Sequence, residues 1–204
     1  MKNIYLYGAG GHCFAVVELI RSLGEYQPLR IYDQNPKLKT ILEVPVIKEG
    51  VEIGSAETMC ITIGNNDARK KLAARYMEHD FPVFAHRSAT VYPTARMGQG
   101  TQILPHAVID ADVTLGAFCI VNNNATVSHN VKAGDFVHIA INAAVTGGVS
   151  LGEGTLVGAG SVINPLLKIG KWVTIGAGAV VTKDVPDFAV VYGNPAQIIR
   201  YNKA

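Results

Sequence analysis

The stretch that decides the fold is VTLGAFCIVNNNATVSHNVKAGDFVHIAINAAV, residues 113–145. Within it Leu115, Val121, Val127, Ala133, Ile139 and Val145 recur every six residues. A helix repeats near ~3.6 residues and a half-buried strand near ~2, so neither makes this beat. Followed outward, the rhythm runs from Val91 to Val181 without a slip, and only Ala133 is not a larger aliphatic. Two residues before each beat stands another uncharged residue, usually small, from Ala89 through Cys119 and Ala125 to Ala179. Short strands bent at regular corners fit this pattern. Each hexad supplies one flat side with an inward aliphatic, and the small residue fits the crowded corner. Gly98, Gly116, Gly134, Gly152 and Gly170 add a period of 18, which is three hexads or one coil of a triangular prism, and should stack at one corner. The span predicts a parallel β-helix a little over five coils long, roughly 25 Å at ~4.8 Å per coil. An ordinary β-sandwich would not hold phase over so long a run.

Before about residue 85 the style changes. IYLYGAGGHCFAVVELIRSLG (residues 4–24) reads as an apolar strand, a glycine turn and a helix closed by Gly24. LRIYD (29–33) predicts a second strand ending at Asp33, and TMCITIGNN (58–66) a third. DARKKLAARYME (67–78) predicts another helix with Asp67 at its N-terminus. Alternating strands and helices imply a small Rossmann-like parallel sheet. The expected organisation is therefore an α/β domain over 1–84 and an all-β domain over 85–204.

Composition excludes several function classes. Charged residues are 17% of the 204, the formal net charge is +2, and no basic block of five occurs, so a nucleic-acid surface is not indicated. Cys13, Cys60 and Cys119 are odd in number and form no CxxC motif, which argues against a disulfide framework or structural zinc and fits a reducing cytoplasm. No apolar run approaches the ~18 residues of a membrane span, and the N-terminus does not read as a signal peptide.

In parallel α/β sheets ligands lie beyond the carboxyl ends of the strands. Gly8, Gly10, Gly11, Asp33, Gly64 and Asn65 all fall there. Glycines between strand and helix let backbone N–H groups approach an anion at the helix N-terminus. Gly8-x-Gly10 matches part of the dinucleotide fingerprint, but the third glycine is replaced by Cys13, which disfavours NAD. Asp33, 22 residues past Gly11, suits a carboxylate accepting from a ribose or base. A nucleotide diphosphate is the expected ligand; a tight turn with nothing bound is the alternative. His12 follows the loop and could reach a phosphate or sugar, or be structural.

YGAGGH, an aspartate after the second strand, IGNN…RKKL, AHRSATV, and hexads containing SHN, GDFVHIA, GAGSVI and IGAGAVVTKDVPDFAVVYGNPAQII together resemble the NeuD/PglD-like sugar acyltransferases over almost the whole chain. The resemblance implies a left-handed β-helix, a homotrimer with acetyl-CoA between adjacent prisms, and a nucleotide lying against the N-terminal domain. It implies N-acetylation of the 4-amine of a nucleotide-linked, here UDP-linked, 4-amino-4,6-dideoxy sugar for a bacterial surface glycan, with no metal. Handedness comes from the resemblance alone; the general rule for crossovers is right-handed.

His129, two places after inward Val127, should emerge near a corner, and His138, directly before inward Ile139, should point outward. By resemblance His129 is the general base. A histidine with a reference pKa near ~6.5 can accept a proton from an attacking amine, typically contributing ~10²–10⁴ in rate. By the same resemblance His138, Gly147, Gly158 and Gly176 contact the cofactor, Gly147 donating its N–H to the thioester oxygen. Asn122 matches an asparagine near the acceptor sugar. The family commonly has Glu or Asp after its base, whereas this chain has Asn130, an amide that can orient the ring but brings no charge. Either a weaker base or compensation by another carboxylate, Asp110 or Asp135, is expected. HIAIN replaces the usual HIAPG, so Ile141 and Asn142 are expected to reshape the cofactor channel. His86 and His106 are expected to cap turns or serve an interface rather than catalyse. Lys168, Lys171 and Lys183 are solvated, with the CoA 3′-phosphate as their alternative partner.

Three rival readings stay open. Sugar O-acetylation of the sialic-acid type is the nearest. A zinc hydrolyase of the γ-carbonic anhydrase type shares the β-helix, but no close histidine pair suits its metal site. A noncatalytic solenoid that only binds nucleotide sugars is the third.

Overall fold

Every hexad of the C-terminal half forms a two-residue strand, and these stack coil on coil into three parallel walls in this computed structural model. Residues 1–50 and 57–202 are described. The sheets hold six, five and eight strands, and each hexad strand pairs parallel with those one coil away, as Thr126 and Val127 pair with Ala144 and Val145. From Ile103 to Val181 the beat residues fill the interior, and so do those two places earlier: Ala107, Val113, Ala125, Val131 and Val137 are all fully buried. The 18-spaced glycines stack as expected. A Cβ on Gly116 would lie 2.6 Å from the carbonyl carbon of Gly134, and one on Gly152 would lie 2.5 Å from that of Gly170. The last coil closes with Ala189–Gly193, which pairs back antiparallel with Ala196–Tyr201.

A third six-residue rhythm escaped the reading of the sequence. From Gly100 through His106, Asp112, Phe118, Asn124, Asn130 and onward to Gly178, every sixth residue has a left-handed backbone, with φ between 54° and 71°. These are the corner residues. Asn, Asp and Gly are common among them because they tolerate this conformation best. Side chains 18 apart in the row project one above another.

The chain divides into two compact units, Met1–Phe84 and Ala85–Ala204. In the first, β1 (Lys2–Tyr7), β2 (Tyr26–Asp33), β3 (Thr40–Ile41), β4 (Val44–Lys48) and β5 (Met59–Ile61) form one sheet in the order β3-β4-β2-β1-β5. All neighbours are parallel except β3 and β4. Helix α1 (Gly11–Leu23) buries Cys13, Val16, Val17, Leu19 and Ile20, and ends at left-handed Gly24. Helix α2 (Asn66–Arg75) starts one residue earlier than expected and ends three earlier, because Asn65 rather than Asp67 caps it: the Asn65 side chain accepts from the Ala68 N–H at 2.9 Å. The β3–β4 hairpin was not foreseen. Its two-residue turn, Leu42-Glu43, has positive φ at both positions without the Asn or Gly that marks such turns.

Candidate active site

Hexad geometry puts His129 on the corner after the strand Thr126–Val127, exposed, with its carbonyl accepting from the Gly148 N–H at 2.9 Å. Its Nδ1 lies 2.9 Å from Asn130 Oδ1. One coil on, Gly147 lies against the ring: a Cβ there would fall 2.6 Å from Cε1 and 2.7 Å from Nε2 of His129. Any side chain at 147 would therefore displace the imidazole.

The carboxylate beyond Asn130 is neither of those expected. Asn130 Nδ2 donates to Asp112 Oδ2 at 2.9 Å. Asp110 instead accepts from the Ala111 N–H at 2.7 Å, and Asp135 from the Ala117 N–H at 2.8 Å, each holding backbone at its own corner. Asp112 and Asn130 are both left-handed corner residues 18 apart, so the coil stacks them. That row was the signal available in the sequence.

His138 lies half-buried on a different wall, its Nε2 3.4 Å from Asn122 Nδ2, while Asn122 Oδ1 accepts from the Asn123 N–H at 2.9 Å. The corner carrying His129 joins the walls of Thr126–Val127 and Lys132–Ala133, and His138–Ile139 belongs to the third wall, across the prism. One chain thus gathers His129, Asn130 and Gly147 at one place, and Asn122 and His138 at another. Gly158 and Gly176 follow that third wall. Stacking alone forbids a side chain there, since a Cβ would lie 2.4 Å from the Ile175 carbonyl oxygen or 2.2 Å from the Tyr192 ring. Ile141 is 45% exposed, with left-handed Asn142 after it. His86 accepts from the Ser88 N–H at 3.1 Å, and Ser88 Oγ accepts from the His106 N–H at 3.1 Å, so both histidines belong to turns. Among the described residues no three His, Cys, Asp or Glu side chains gather as a metal site. The cysteines are buried, and burial pushes the Cys13 thiol up to about 11, so it holds little thiolate.

In the first unit the glycine loop follows β1. Gly8 has φ 110° and a Cβ would strike Ile63 Cγ1 at 2.5 Å, so only glycine fits. Gly10 caps α1 without a side chain, and around Gly10, Gly11 and Gly64 a Cβ would meet nothing within 4 Å. The space beside these three Cα atoms is open. Asp33 ties the loop down, accepting from the Ala9 N–H and the Asn35 N–H, both at 2.8 Å. Thr62 donates to the Gly8 carbonyl at 2.6 Å. His12 stands on the first turn of α1, half-buried. Beside Asp33 opens a cleft of about 320 Å³ lined by Tyr7, Asn35, Ile63, Lys71 and Arg75 among others. The sequence reading missed Arg69. Only 1% exposed, it donates to the Ile63 and Gly64 carbonyls at 3.0 and 3.1 Å and to Asn66 Oδ1 at 2.8 Å, clamping the turn after β5.

Residues 3–76 match the PglD N-terminal domain family. PerB from Caulobacter crescentus, solved in complex with CoA and GDP-perosamine, is 32% identical with a TM-score of 0.91 over 97% of each chain. The acetyltransferase domain of PglB from Neisseria gonorrhoeae, solved with acetyl coenzyme A, is 33% identical with a TM-score of 0.90, over 97% of this chain and 99% of that one. The chain belongs to the NeuD/PglD-like sugar acyltransferases. A further relative of this acyltransferase is UDP-N-acetylbacillosamine N-acetyltransferase of Bacillus subtilis (strain 168), 35% identical over 114 residues. That match spans 51% of this chain and 52% of that protein, about half the length of the curated relative. No helix among the described residues is long and apolar enough to cross a membrane.

Proposed function

We propose that this acyltransferase moves the acetyl group of acetyl-CoA to the 4-amine of a nucleotide-linked 4-amino-4,6-dideoxy sugar, with UDP the expected carrier, in the cytoplasmic assembly of a bacterial surface glycan. The observation that carries the reading is His129. It is exposed on a corner, its Nδ1 is engaged by Asn130, and the residue against its Cε1–Nε2 edge is a glycine. In the reaction the neutral amine attacks the thioester carbonyl carbon, His129 Nε2 takes the amine proton, and the C–S bond breaks; the departing thiolate takes that proton from the imidazolium and leaves as CoA thiol. The Gly147 N–H would donate to the carbonyl oxygen as it becomes anionic. Gly8, Gly10, Gly11, His12, Asp33, Gly64 and Asn65 would hold the nucleotide, and Asn122 the sugar. His138, Gly158 and Gly176 would line the cofactor groove.

His129 and His138 lie across the prism from each other, so a site that uses both draws on two prisms. This supports a homotrimer; a monomer at micromolar concentration in light scattering would contradict it. The function itself is tested by thiol release from acetyl-CoA against UDP-, GDP- and dTDP-linked 4-amino sugars, with 4-hydroxy sugars as the O-acetylation arm. Release with hydroxyl acceptors alone, or with none, would sink N-acetylation. A relative solved with GDP-perosamine makes the GDP arm the first rival to UDP.

A further inference from the structure

We infer that Asp112 is a positioning residue for the acetyl transfer, setting the tautomer of His129 through the side-chain amide of Asn130. The inference rests on the reading of His129 as the base. The chain of contacts runs from Asp112 Oδ2 to Asn130 Nδ2 at 2.9 Å, and from Asn130 Oδ1 to His129 Nδ1 at 2.9 Å. An ionised carboxylate only accepts, so the amide group facing Asp112 is the NH₂. The amide then presents its carbonyl to the imidazole. A carbonyl also only accepts, so Nδ1 carries the proton and donates it. Nε2 is left with the lone pair that takes the amine proton.

Without a carboxylate at 112 the amide has no reason to keep this orientation. Flipped, its NH₂ would face Nδ1, favour the Nε2–H tautomer and remove the proton acceptor. Around this chain of contacts, Gly147 and Gly148 come from the coil above the ring, and below Asp112 Thr94 Oγ1 accepts the Asp112 N–H at 2.9 Å. Asp112 also supplies the negative charge that Asn130 lacks, one amide away from the ring, and so favours the imidazolium formed during transfer.

Three variants test this: Asp112→Asn, Asn130→Asp, and the two combined. Asp112→Asn should lower kcat about tenfold, the worth of one charge-assisted hydrogen bond, with KM for both substrates unmoved. Asn130→Asp alone sets two carboxylates together and should also be impaired. The double variant moves the carboxylate beside the ring and should recover to within about threefold of the parent, the recovery a merely structural role would not produce. Nitrogen-15 shifts of His129 should show the Nδ1–H tautomer in the parent. An Nε2–H tautomer there would overturn the inference even if Asp112→Asn yields no folded protein. Parent-like kcat in Asp112→Asn would overturn it too, leaving His129 as base. A fully active His129→Ala would instead overturn the reading beneath it.

Discussion

The candidate residues of the solenoid and of the sheet unit are held in place by different means. In the solenoid the backbone of each coil pairs with the next, so corner side chains such as His129 and Asn130 project outward and carry little of the architecture. In the sheet unit side chains tie the loops: Asp33 holds Ala9, Thr62 holds the Gly8 carbonyl, and buried Arg69 clamps the turn after β5. Chemistry at a solenoid corner should therefore be separable from stability, and binding in the sheet unit should not be.

Four substitutions press on that contrast. His129→Ala should cost ~10²–10⁴ in kcat/KM while thermal unfolding stays where it was, since the ring is exposed. A large drop in Tm would deny the separation. Gly147→Ala comes next: its methyl would meet the imidazole 2.6 Å from Cε1 and push it off station. A displacement near 1 Å is worth ~10² in kcat, with stability again little changed. In the sheet unit Arg69→Met should lower stability by ~2 kcal/mol, as carbonyls of Ile63 and Gly64 lose a charged donor in a buried setting. KM for the nucleotide sugar should rise with it, and a purely stability effect would separate the clamp from the site. The smallest effect is expected from Asp33→Asn, which can keep only part of its hold on Ala9 and Asn35. About a tenfold rise in KM for the nucleotide sugar should follow, with KM for acetyl-CoA unmoved.

Much of this architecture was legible because the solenoid turns distance in sequence into distance in space. Gly147 meets His129, and Asn130 meets Asp112, because each pair is one 18-residue coil apart. Asp110 and Asp135 were the wrong carboxylates for the same reason: neither stands one coil from Asn130 on the left-handed row. The β3–β4 hairpin stayed hidden because Leu42-Glu43 carries none of the usual turn residues. Arg69 stayed hidden because one cation in a helix that also holds Lys70, Lys71 and Arg75 reads as solvated.

The order of residues alone determined the prism, its interior, the glycine stack and the corner from which His129 emerges, since a strict period leaves one way to bury every aliphatic. Only the folded chain decided which way the Asn130 amide turns between the imidazole and the carboxylate stacked on it, and that a buried guanidinium clamps the turn after β5. Those facts depend on which way side chains point at corners and on loops packed without a period, and no count along the chain encodes either.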